Sequence, residues 1–136
     1  MMFQKLPIFL KENNCKLLMK YDGERNHNKY TVKLLYNDLR KGSLGKDTDN
    51  PFFVINEIYE NETKFPIKEV VEGYDIIYKE CIIPIISEYG SQSIILVKLE
   101  EREDRIYYFF YIQTKNATQY ISDFNYHKAL KYILKK

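Results

Sequence analysis

The 136-residue sequence has no tryptophan, two cysteines, two histidines, five glycines and four prolines, and each scarcity removes a class of protein. Cys15 and Cys81 lie far apart, without a CxxC spacing and among apolar neighbours. They read as two buried thiols in a reducing compartment rather than as a disulfide framework or a metal staple. The two histidines leave little for imidazole chemistry: His27 falls in a polar turn and His127 near the start of a terminal helix, neither with a Cys, Ser or Glu at motif spacing. No apolar run approaches the ~18–20 residues of a membrane span. Lys5, Pro7 and Lys11 interrupt what would be the apolar region of a secretion signal. A cytoplasmic protein without membrane contact is expected, in which the sequons at Asn61 and Asn116 carry no glycan. Charge of one sign is also missing. The net +2, from 21 Lys and Arg against 19 Asp and Glu, offers no concentrated basic stripe and disfavours nucleic acid as a partner.

What is present describes a globular domain. A content of 45% hydrophobic and 29% charged residues is ordinary for a single folded unit spanning residues 1–136, long enough to bury a core. Thirteen Tyr and eight Phe give the chain its flavour. Since abundant Ile, Asn and Lys also resemble usage in AT-rich genomes, aromatic position is more informative than aromatic number.

Periodicity predicts the order of elements. Phe3, Leu6, Pro7 and Leu10 suggest a short first helix ended by Asn13 and Asn14. Residues 15–21 and 30–36 read as strands of a hairpin, joined by the turn formers of DGERNHNK. Residues 37–50 contain Gly42 and Gly45 and almost no apolar side chain, which predicts a long mobile loop. Asp49 or Asn50 then caps a helix over 51–60, with Pro51 in its first turn. A longer helix runs over 67–89, with a kink near 80–84 because Pro84 removes the bond to the carbonyl of Glu80. Residues 94–114 form a second hairpin. Ser122 or Asp123 caps a last helix with Phe124, Ala129, Leu130, Ile133 and Leu134 inward. The expected fold is α+β, an antiparallel sheet of about four strands packed against helices in the order α-β-β-α-α-β-β-α.

Catalytic and ligand motifs fail on inspection. Asp47, Asp49 and Asn50 lack the glycine and terminal glutamate of a calcium loop, so capping is the better reading. The acids Glu57, Glu60, Glu62, Glu100, Glu101, Glu103 and Asp104 sit in polar contexts that would raise no pKa. GSLGK at residues 42–46 lacks the first glycine of a phosphate loop, where Arg40 stands, and follows the wrong elements for one. It also looks like the GxxG loop of a KH domain, flanked by Lys41 and Lys46, but that loop joins two helices. The chain is read as neither an enzyme nor a cofactor binder.

The second hairpin carries the functional signal. Along Ile106–Ile112, Ile106, Tyr108, Phe110 and Ile112 fall on one face, while Tyr107, Phe109 and Tyr111 fall on the other, so both faces want cover. The second face is either the seat of the last helix or an interface. Glu100, Glu101, Glu103 and Asp104 at the hairpin turn place negative charge beside it, which implies a basic protein partner. In length, in its lack of enzyme motifs, in its early hairpin and in the segment GKDTDNPFFVINEI entering a helix, the chain resembles the small immunity proteins of bacterial polymorphic toxin and contact-dependent inhibition systems. The resemblance implies a cytosolic protein that binds one cognate toxin C-terminal domain, often a nuclease, and blocks it. The alternatives are a homodimer that closes the sheet, a regulatory protein of a phage or mobile element, or a nucleic-acid module using residues 41–46 and the aromatic strand.

Overall fold

A computed structural model describes residues 5–12, 14–37, 43–49, 78–90 and 92–134. Helix α1 (Lys5–Glu12) leads into strands β1 (Cys15–Asp22), β2 (Tyr30–Tyr36) and β3 (Ser43–Thr48). A π-helical turn at Tyr78–Ile82 runs into helix α2 (Ile83–Tyr89). Strands β4 (Ile94–Arg102), β5 (Arg105–Gln113) and β6 (Thr118–Asp123) follow, and helix α3 (Tyr126–Leu134) comes last. All six described strands form one antiparallel sheet in the order β3-β2-β1-β4-β5-β6. The fold is α+β, as expected, but with six strands and a different element order.

Both additional strands are sheet edges. Strand β3 lies where the long mobile loop is predicted, pairing Leu44 with Leu34 and Asp47 with Thr31. Strand β6 pairs Ile121 with Phe110 and Tyr120 with Tyr111. An edge strand needs one ladder of backbone bonds and little apolar surface. That is why SLGKDT and TQYISD, with almost no hydrophobic alternation, escape a reading based on periodicity. With β6 ending at Asp123, the last helix starts later than Ser122 or Asp123 would allow. Its cap is Asn125, whose side-chain oxygen accepts the Lys128 N–H at 3.2 Å, while Asp123 accepts the Asn125 N–H at 2.8 Å. Phe124 is therefore not an inward helix residue; its ring meets Tyr107 edge-on, with centroids 4.8 Å apart.

Where a kink is predicted, the helix changes its hydrogen-bond spacing. Residues 78–82 take the wider π spacing immediately ahead of Pro84, so the helical register adjusts where the proline would leave a carbonyl unpaired. The expected helix over 51–60, residues 67–77 of the longer helix, and Phe3, Lys41, Gly42, Asn50 and Pro51 lie outside the described residues.

One core holds these elements together. From β1 come Cys15, Leu17, Met19 and Tyr21; from β2, Val32 and Leu34; from β4, Ile95, Val97 and Leu99; from β5, Ile106, Tyr108, Phe110 and Ile112. Every one belongs to the same face of the sheet, and Phe9, Leu10, Cys81, Ile82, Ile85, Ala129 and Ile133 bring the three helices onto it. Both cysteines are buried and are not joined in a disulfide. Gly23 lets the β1–β2 turn approach the end of α2, since a Cβ there would stand 1.9 Å from the Gly90 carbonyl oxygen. The Tyr89 hydroxyl donates to the Ile133 carbonyl at 2.7 Å and so fastens α2 to α3.

Candidate protein interface

The second hairpin forms as predicted, with Ile94 opposite Gln113 and Arg102 opposite Arg105. Its two turn residues, Glu103 (φ 54°) and Asp104 (φ 62°), both take the left-handed conformation of a primed turn. Asn-Gly is the usual occupant of such a turn because L side chains there are strained.

Charge at this tip is matched locally. The Glu100 carboxylate accepts from Arg102 at 3.1 Å, Glu103 from Arg105 at 3.2 Å, and Asp104 from Lys11 of α1 at 2.6 Å. Glu101 accepts the Asp104 backbone N–H at 2.8 Å. Asp104 holds the Lys11 ammonium above its usual pKa, by hydrogen bond first and charge second. Three cations thus stand against four acids, and sequence alone could not show that Lys11 reaches the tip from 93 positions away. The acids are further divided by the pleat: Glu100 lies on the face opposite the core, Glu101 on the core side at the end of the sheet, and Glu103 and Asp104 beyond it.

Tyr107, Phe109 and Tyr111 share the face opposite the core, and α3 is not their cover. Its buried residues Ala129 and Ile133 join the core side, where the Tyr126 ring packs on Tyr108 with centroids 5.4 Å apart. No described helix lies on the opposite face. Antiparallel register extends the aromatic row, because Tyr120 of β6 pairs with Tyr111 and is 68% exposed. The Tyr107 hydroxyl donates to Ser122 at 3.0 Å and the Tyr111 hydroxyl to Gln113 at 3.2 Å. Lys98 Nζ stands 5.2 Å from the centroid of the Phe109 ring and the Arg102 guanidinium 4.1 Å from that of Tyr107.

The remainder of this open face comes from β1, β2 and β4, and sequence reasoning passed over it. Leu18 pairs with Lys33 on one side and Lys98 on the other, Lys20 with Thr31 and Leu96, and Lys16 with Leu35. Thr31 is buried and the others are half-buried, on a sheet face that no described helix covers. At the edge, Asp47 accepts the Thr31 hydroxyl at 2.5 Å and lies 3.7 Å from Arg25. The Thr31 bond, then the charges of Arg25, Lys33 and Lys20, hold its carboxyl below the usual range. The available signal was the doubled apolar pairs Leu17-Leu18 and Leu34-Leu35, each placing one leucine outward.

A separate cavity of about 630 Å³ opens on the core side, between Pro7, Ile106, Tyr108, Phe124 and His127. Several of its polar groups have partners: Asp123 accepts the Asn125 N–H, the Arg105 guanidinium lies 4.0 Å from the Phe124 ring centroid, and the Tyr126 hydroxyl donates to Glu80. Burial first, then Glu80, pushes the Tyr126 hydroxyl up in pKa. No nucleophile with an adjacent base is assembled there. The GxxG fragment does not form a KH-type loop either, because Gly45 sits in β3 opposite Lys33. Among the described residues, no three His, Cys, Asp or Glu side chains are grouped to hold a metal ion, and no helix is long and apolar enough to cross a membrane.

Compared with protein-family models, with curated proteins and with solved structures, the chain finds no match in any of the three.

Proposed function

We propose that this chain is a protein-binding inhibitor of the immunity-protein type, which engages a toxin domain through the open face of its sheet. One observation carries the reading: Tyr107, Phe109, Tyr111 and Tyr120 line up on β5 and β6 on the face that no described helix covers. Aromatic side chains with polar tips supply much contact area at little cost in conformational entropy, which is why they concentrate at interface centres. The six described strands, stiffened from behind by the three described helices, present that surface preformed, so little ordering opposes association. Apolar positions between the polar ones, Leu18, Leu35 and Leu96, add area that water would otherwise solvate.

Co-expression with the product of the adjacent upstream gene tests the proposal. Relief of that protein's toxicity and co-elution of the pair are the expected outcomes; a harmless neighbour that elutes apart would reject it.

A further inference from the structure

We propose that the partner meets the open face with an acidic surface, its carboxylates received by a cross of four lysines centred on Leu18. This inference rests on the reading of that face as the docking surface and adds the chemistry of what docks. Lys16 and Lys20 flank Leu18 two residues away along β1, on the same face, while Lys33 of β2 and Lys98 of β4 stand directly opposite it on either side. Strand spacing puts each lysine Cα about 5–7 Å from that of Leu18. Four lysines therefore surround one apolar residue on the same face.

The described acids nearest to them stand off: Asp47 feels the charges of Lys20 and Lys33 without forming an ion pair with either. None of Lys16, Lys20, Lys33 and Lys98 has a described acid within ion-pair distance, and the one partner contact in the group is the Phe109 ring near Lys98. Among the described residues, this face has acids only at its margins. Asp47 and Asp22 are taken by Thr31 and Arg25, and Glu100 by Arg102. Like charges held together without counter-charge repel one another, and a partner bearing carboxylates removes that repulsion as it binds. The expectation of a basic partner followed from the acidic tip, whose charge Lys11, Arg102 and Arg105 already compensate.

A protein surface suits this face better than a nucleic acid. Base stacking needs free ring faces, yet Lys98 lies over Phe109, and Tyr107 has Arg102 over it and Phe124 at its edge. The lysines form a cross around Leu18 rather than a track that would follow a phosphate backbone. Carboxylates set among apolar side chains match both the cross and the leucines between its arms.

The test uses the isotope-labelled full chain, titrated at low salt with three probes: a hexaglutamate peptide, a hexalysine peptide and a thymidine oligonucleotide. The expected result is saturable amide shifts at Lys16, Leu18, Lys20, Lys33 and Lys98 with hexaglutamate, weakened about tenfold or more in a Lys16→Gln/Lys33→Gln/Lys98→Gln variant whose melting curve is unchanged. Absence of shifts at these residues, stronger binding of the oligonucleotide on this face, or binding of hexalysine at the tip instead would each overturn the inference. None of those results bears on whether the pair with the neighbouring gene product forms, so the two proposals fail separately.

Discussion

Phe109 and Phe110 are neighbours in one strand and live in different worlds. Phe110 is fully buried in the core. Phe109 faces the other way, under a lysine and opposite Ser122. The pleat alone divides them. On the core side the inward positions are filled with aliphatic and aromatic carbon; on the open side, lysines, leucines and tyrosines alternate across β1, β2, β4, β5 and β6. A chain that needed only stability could have made the second face polar throughout. The carbon and cations left there are what a partner would use.

The contrast can be broken first by truncating each phenylalanine. Phe110→Ala should cost about 3–5 kcal/mol in denaturant unfolding, since it leaves a large void in a rigid core. Phe109→Ala should cost about 1 kcal/mol or less, the scale of a cross-strand pair. Equal losses would mean that the second face is packed as the first is.

Alkaline titration sharpens the same contrast, because the thiol and phenols that burial perturbs belong to the core side. Burial, then the Glu80 carboxylate, pushes the Cys81 thiol up to about 12. Tyr30, Tyr108 and Tyr126 are also raised, in each case chiefly by burial. A folded chain that keeps its protons where the unfolded chain releases them loses stability as pH rises. For Cys81 the contribution is complete below about pH 9 and falls away toward pH 12. Urea midpoints should therefore drop across that window, and Cys81→Ala should flatten the drop; a midpoint independent of pH would contradict the burial of these groups.

A smaller effect lies at the start of α3. Asn125→Ala should lose about 1 kcal/mol, the worth of a helix cap, with the open face untouched in amide spectra. An unchanged melting temperature would place the cap elsewhere, as the sequence first suggested. The smallest change belongs to the tip. Glu103→Asn with Asp104→Gly relieves two left-handed L residues and removes two exposed ion pairs that solvent screening leaves weak. The double variant should be no less stable than the parent by thermal melting, and a clear loss would restore the tip acids to a structural role.

The sequence made the two-faced strand legible because seven consecutive β-branched and aromatic residues allow no other reading of Ile106–Ile112. It also made both central hairpins and the place of the helical irregularity before Pro84 legible, since turn formers and proline act locally. The edges were not. Strands β3 and β6 borrow their stability from the ladders of β2 and β5, and Gly45 or Ser122 carries no trace of that in its own neighbourhood. The lysine cross was equally hidden: Lys16 and Lys20 look like ordinary solvated positions until register puts Lys33 and Lys98 beside them. The acidic tip was legible as acids but not as ion pairs, because Lys11 arrives from a helix distant in sequence.

The open face as docking surface is tested most directly by size-exclusion co-elution of the neighbouring gene product with the parent chain and with a Phe109→Ser/Tyr111→Ser variant that melts within a few degrees of it. The parent should carry the partner into one peak, and the variant should elute alone. A folded variant that still carries the partner would contradict the account.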